Sequence, residues 1–287
     1  MIENVNKICI IGTGLIGGSL ALALKKSGFC KEITASGRTE ATLKKAIELG
    51  IIDSYDMAMA KAVSDADIVV VSVPLGAMQS VFEKIQPGLK DMAVVTDAGS
   101  AKQCVISDAE TALKNSQRFV AGHPIAGTEK SGAEAAFDTL YVDRKVILTP
   151  TENTDKEALS LIESMWRAAG AQVEMMDAKH HDVVLAGTSH LPHLLAFGLV
   201  DCLNNLDDVD EIFNYAAGGF RDFTRIASSD PDMWRDICLN NRDEVLKMMD
   251  HYKEEMKKIY HALENNDGEQ LKAVFNRAKQ SRDSFNN

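Results

Sequence analysis

The sequence predicts a chain in two parts: an α/β domain with a doubly wound parallel sheet over residues 1–177, and an all-α segment over residues 178–287. Three observations predict this. A glycine-rich turn joins the first apolar run to a helical pattern close to the N-terminus. Short β-branched runs then alternate with helical stretches as far as Asp177, the pattern of βαβ units on a parallel sheet. From Lys179 onward no strand pattern is convincing, and apolar residues recur at helical spacing.

Taken in order, Lys7-Ile8-Cys9-Ile10-Ile11 is a continuous apolar run, as expected of a strand buried on both faces. Gly12-Thr13-Gly14-Leu15-Ile16-Gly17-Gly18-Ser19 follows, then an alanine- and leucine-rich helix from Leu20 to Lys26. This is the G-x-G-x-x-G turn of a Rossmann-like dinucleotide fold, in the strand–turn–helix setting that the motif requires. Gly12 allows the tight turn, Gly14 lets a pyrophosphate approach, and Gly17 lets helix pack on strand. Leu15 and Ile16 lie within the turn as further cofactor contacts, and the free N–H groups of the helix N-terminus favour phosphate.

The second strand, Glu32 to Ser36, leads into Gly37-Arg38-Thr39 and not into the acidic residue that would grip an adenosine ribose. Arg38 could pair with a 2′-phosphate or stack on adenine, so the cofactor reads as NAD or NADP with a slight lean to NADP. Thr42 to Leu49 reads as a helix ended by Gly50, and Asp67 to Pro74 and Met92 to Asp97 as further strands. Three turns fall at strand carboxyl ends, where ligands bind in such sheets: Ser72-Val73-Pro74, Asp97-Ala98-Gly99-Ser100 and Gly122-His123-Pro124. Ser100 reads as the N-cap of a helix from Ala101 to Lys114. The stretch Ala121 to Gly132 reads as a loop in which His123 can switch protonation near neutral pH. Strands over 144–148 and 171–175 flank a helix from Lys156 to Ala169.

In the helical half, Asp182 to Asn204 is strongly apolar and reads as a helix buried in a bundle or at a dimer interface. It contains Thr188-Ser189-His190-Leu191-Pro192-His193, where Pro192 should kink the helix. Two histidines there either bind something or are satisfied inside the core; a metal site with His180 and His181 lacks carboxylate or thiolate partners at useful spacing. Arg221 and Arg225 share a helix face beside Trp234 and could hold a carboxylate, or simply pair with Asp222, Asp230 or Asp232.

Composition narrows the classes. The chain has 287 residues, 45% hydrophobic and 25% charged, enough for two globular domains. A net charge of −11 without a long basic run argues against nucleic acid, while a small anion could still meet a locally positive pocket. The five cysteines are scattered without a CxxC pair, as suits a reducing compartment. No signal peptide or membrane-spanning run is read, so the expected setting is cytoplasmic.

The segments Gly12 to Ser19, Gly122 to Gly127, Ser189 to His193 and Gly219-Phe220-Arg221-Asp222-Phe223-Thr224-Arg225 together resemble prephenate dehydrogenases of tyrosine biosynthesis, in the same order over nearly the whole chain. The resemblance implies oxidative decarboxylation of prephenate to 4-hydroxyphenylpyruvate by a homodimer joined through its C-terminal helices. It implies His123 as the proton acceptor and Ser100 as the serine beside it. Arg225 and His193 would contact substrate, with Ser189, Thr128, Glu129 and Trp234 as pocket residues. Independently of the resemblance, the glycine turn and the strand ends give Gly12, Gly14, Leu15, Ile16, Gly17, Arg38, Thr39, Ser72, Val73 and Pro74 as expected cofactor contacts, and no metal is expected. Arogenate dehydrogenase and a dual-substrate cyclohexadienyl dehydrogenase are the alternatives among enzymes. A nucleotide-binding sensor without turnover is the alternative of another class.

Overall fold

Alternation along β1 (Val5–Ile11) builds the centre of the molecule: Ile8 and Ile10 point to one face of a sheet, Cys9 and Ile11 to the other, and all four are fully buried. The computed structural model describes residues 5–128, 130–206 and 209–284. β1 is joined by β2 (Cys30–Ser36), β3 (Ser54–Tyr55), β4 (Ile68–Val71), β5 (Val94–Asp97) and β6 (Phe119–Val120). Their order is β3-β2-β1-β4-β5-β6, with every pair parallel. The order reverses between β1 and β4, which makes the crevice beyond their carboxyl ends the expected ligand position.

Helices cover both faces. Leu20, Leu24, Tyr141 and Trp166 pack with Ile8 and Ile10, while Phe82, Val105 and Trp234 pack with Cys9 and Ile11. Each such side chain contributes about 1.5–3 kcal/mol by leaving water. The Leu15–Ser27 helix begins directly at the glycine turn, five residues earlier than its apolar pattern suggests. Tyr141 donates to the Ile16 carbonyl at 2.6 Å and so ties the segment after His123 to this helix.

Three expectations need correction. Gly122–Pro124 is a strand, β7, not part of a loop. It pairs antiparallel with β8 (Lys145–Leu148), which pairs parallel with β9 (Gln172–Met175), forming a separate three-stranded sheet. The second is one of place: Pro192 lies within the continuous helical stretch Ala178–Asn204, where its missing N–H does disturb the ladder. The distortion falls just before it, as a π-helical turn over Ala186–His190. Third, the helical stretch Ala178–Asn204 is 27 residues long with mean hydropathy 1.5, so by length and composition alone it could cross a bilayer. Its first turns are instead fastened to the sheet domain through Asp182.

The chain divides into two compact units, residues 1–242 and 243–287. The second consists of most of the Arg242–Glu264 helix and the Gly268–Ser284 helix. Asp267 caps the latter by accepting from the Gln270 N–H at 2.9 Å.

Gly12 has φ +98°, and a Cβ there would lie 2.2 Å from the Ser72 carbonyl oxygen. Gly12→Ala should therefore lose about 2 kcal/mol or more, combining backbone strain with that clash. Urea unfolding measures this, and an unchanged midpoint would contradict it.

Candidate functional site

Three segments distant in sequence meet at the carboxyl end of β5. The first is the turn from Asp97 to Lys102, the second is β7 carrying His123, and the third is the Ala178–Leu185 helix. The Gln103–Ala112 helix begins beside them without a side-chain cap of its own. Its cap comes from Asp182, whose Oδ1 accepts the Lys102 N–H at 2.8 Å and whose Oδ2 accepts the Gln103 N–H at 3.0 Å. Ser100 is thus not the N-cap; the helix starts later, and the Ser100 hydroxyl has no partner among the described residues.

Asp182 also fixes the hydrogens of two histidines. Burial alone would push its carboxyl up, but the bonds from His181, Gln103 and Lys102 outweigh that and hold it below the ordinary carboxylate range. An ionised carboxylate only accepts, so His181 Nδ1, 2.9 Å from Asp182 Oδ1, carries hydrogen. In the neutral ring His181 Nε2 is then the acceptor, and His123 Nδ1 donates to it at 2.9 Å. This leaves His123 Nε2 with a free lone pair. Burial, then the neighbouring His181, Lys102 and His190, holds the His123 pKa well below its usual value, so the ring is a neutral base.

A second cluster surrounds Trp234. His193 stacks on the indole with ring centres 3.6 Å apart and planes at 19°. His193 Nδ1 donates to the Ser189 carbonyl at 2.9 Å. Burial lowers the His193 pKa; the Ser189 bond opposes this and the nearby Arg225 charge adds to it. His190 is pushed down to about 4, chiefly by burial, and its Nδ1 lies 3.1 Å from Asn241 Nδ2. Asn241 also donates to the Asp182 carbonyl at 2.8 Å, so the two clusters share one network. Trp234 Nε1 is buried without a hydrogen-bond partner.

The glycine turn fits a dinucleotide. The Leu15–Ser27 helix presents its first N–H groups at Gly14 with no side-chain cap, and the space over Gly14 is open to 4 Å. The Thr13 and Ser36 hydroxyls beside it are buried without partners. Ser72 abuts Gly12, followed by half-buried Val73 and exposed Pro74, on the crevice side of β4. Arg38 and Thr39 are exposed after β2, and the Thr39 hydroxyl bonds that of Thr42 at 2.7 Å.

Other expected residues are not gathered. Thr128 is exposed, its hydroxyl accepting from the Lys130 N–H at 3.2 Å, and Glu129 lies outside the described residues. Arg221 turns to the Ala216 carbonyl at 3.2 Å, whereas Arg225 is the arginine whose charge His193 feels. Among the described residues no group of histidine, cysteine and carboxylate could hold a metal. Lys102, Asp182 and Asn241 were not visible as site residues in the sequence. The one available signal was Asp182 directly after two histidines in an apolar helix, where an unpaired charge is costly.

Asp182→Asn keeps one acceptor but turns a donor toward the Gln103 N–H. The variant should lose about 1–3 kcal/mol at pH 7, read from urea unfolding. Because folding depresses this carboxyl, its stabilisation is fully present above an unfolded pKa of about 3.9 and is lost as pH falls through the folded value. The gap between wild type and variant should therefore narrow below that pH. Equal stability at pH 7 would remove Asp182 as the cap.

Comparison with known proteins places the chain. Residues 20–175 match the nucleotide-binding domain of prephenate dehydrogenase, and residues 177–277 its dimerization domain. A cyclohexadienyl dehydrogenase of Zymomonas mobilis is 38% identical, covering 96% of this chain and 94% of its own. The prephenate dehydrogenase of Bacillus subtilis is 37% identical, covering 97% of this chain and 76% of its own. The crystal structure of Aquifex aeolicus prephenate dehydrogenase with hydroxyphenyl propionate and NAD+ superposes with a TM-score of 0.93 at 40% identity, covering 98% and 99% of the two chains. The chain belongs to the prephenate dehydrogenase family.

Proposed function

We propose that this protein oxidatively decarboxylates prephenate to 4-hydroxyphenylpyruvate, with NAD(P) as hydride acceptor and His123 as the base. The observation that carries the reading is the oriented series Asp182–His181–His123, which leaves one basic nitrogen free at the ligand edge of the sheet. Bound NAD(P) supplies the hydride acceptor. His123 Nε2 takes the proton of the ring hydroxyl, and the positive charge it gains is stabilised through His181 by the Asp182 carboxylate. Carbon dioxide leaves as the ring becomes aromatic, so the protein needs only to hold and orient the substrate.

Arg225 and the unpartnered Trp234 Nε1 are suited to substrate carboxylates, and the His193 ring, stacked on Trp234 and within reach of the Arg225 charge, would contact substrate beside them. The free Ser100 hydroxyl, on the turn that follows β5, would orient the reacting hydroxyl. Ser189 adds to the pocket in this reading. The second-strand turn favours NADP, because Arg38 is exposed without a carboxylate partner among the described residues. The working form is a cytoplasmic homodimer in which the domain boundary falls near Asp177. A dual-substrate enzyme is the second reading, favoured by the Zymomonas mobilis relative.

Initial rates with prephenate and arogenate, each with NAD and NADP, decide among these. Absence of reduced cofactor in all four combinations would remove the enzyme reading. His123→Asn should lower kcat by about 10²–10⁴-fold with little change in KM. Arg225→Ala should chiefly raise KM, and an unchanged KM would remove its anchoring role. The His123 pKa is depressed, so the base stays unprotonated at pH 6.5 and the acid limb of kcat/KM should lie below that pH. A limb centred at or above 6.5 would contradict the assignment.

A further inference from the structure

Lys102 is a wholly buried lysine that the reaction itself does not use. Its amine bonds Asp97 Oδ2 and, at 2.7 Å, the Gly122 carbonyl oxygen, and both charged side chains are 0% exposed. Stability does not account for such a pair, since desolvating two charges commonly cancels their attraction. Its place in the fold does. Asp97 Oδ1 accepts the Gly122 N–H at 3.1 Å, and Oδ2 accepts the Gly99 N–H at 2.7 Å. One carboxylate and one ammonium therefore grip both polar groups of Gly122, whose carbonyl belongs to the peptide that carries His123. The grip is close enough that a Cβ at position 122 would lie 3.2 Å from the Asp97 carbonyl oxygen.

The same lysine reaches His123 by a second route. Its backbone N–H donates to Asp182 Oδ1, and Asp182 orients His181, which orients His123. Ser100 sits two residues before it on the same turn. The groups around the His123 ring are His181, Lys102 and His190, with Asp182 behind His181 and Asp97 behind Lys102.

We infer that Lys102, held by Asp97, is a positioning residue: its side chain and its main chain fix the base from two sides and set its distance from Ser100. The inference rests on His123 as the proton acceptor. A fixed cation at this point also disfavours a second positive charge on His123, so removing it should make the ring easier to protonate.

The test compares wild type, Lys102→Met and the double variant Asp97→Asn/Lys102→Met in steady-state kinetics with prephenate across pH, with thermal unfolding alongside. The double variant removes both charges together and so avoids leaving a buried carboxylate alone. Displacing a reacting group by an ångström can cost about 100-fold, so kcat of the variants should fall on that scale while KM changes little. The acid limb of kcat/KM for Lys102→Met should move to higher pH. Wild type without turnover would refute the proposed function itself. An active wild type whose folded variants keep its kcat and its pH profile would overturn the role of Lys102. Failure of the double variant to fold would assign the pair to the fold and overturn the role as well.

Discussion

The carboxylate of Asp182 is the constraint on which the site depends. It belongs to the helical half of the chain, yet it terminates a helix of the sheet domain, accepting N–H groups from residues about 80 positions earlier. A carboxylate at a helix N-terminus meets unsatisfied donors and the positive end of the helix dipole, so the bond is favourable in its own right. That contact settles the place of the Ala178–Leu185 helix against β5. It also spends the oxygen lone pairs in a way that leaves His181 one role, as donor to Asp182 and acceptor from His123. A tautomer is thereby set by the same interaction that joins two parts of the fold.

Charge placement follows from this arrangement. His123, His190 and His193 are all driven toward their neutral forms, in each case chiefly by burial. Three uncharged imidazoles make a poor anion trap, so under the proposed function the attraction for a dianionic substrate is assigned to Arg225, with the unpartnered indole N–H as a neutral donor. In that proposal the division is useful: burial and the Lys102 charge keep the base unprotonated, while a separate cation, Arg225, is left to hold a carboxylate.

Parts of this were legible in sequence because they are local. Gly17 follows from its own turn, where a Cβ would lie 2.2 Å from the Gly12 carbonyl oxygen, and Gly12 from its φ of +98°, although the carbonyl that a Cβ there would meet at 2.2 Å belongs to the distant Ser72. The apolar runs of β1, β4 and β5 follow from burial on both faces. His123 stood out because glycine and proline bracket it. The errors arose where a distant partner replaced a local one. Ser100 has the chemistry of a cap and stands at nearly the right place, but Asp182 took the role. The residues around His123 have loop composition, yet β8 supplies the hydrogen bonds that make Gly122–Pro124 a strand. His181 has no role in the sequence reading, which finds no metal set around it; its partners are a carboxylate next door and a ring 58 residues away.

Lys102 illustrates the limit most clearly. In sequence it is an ordinary lysine after a turn, and lysines are rarely buried. Its burial becomes intelligible only when Asp97 and Gly122 are seen on either side of its amine, since each would otherwise leave polar groups unsatisfied inside the protein. The strand end, the turn and β7 are then mutually required. Asp97 needs a cation, the Gly122 carbonyl needs a donor, and the lysine needs both. The junction thereby ties the turn that carries Ser100 to the strand that carries His123, through one carboxylate and one ammonium that bond both.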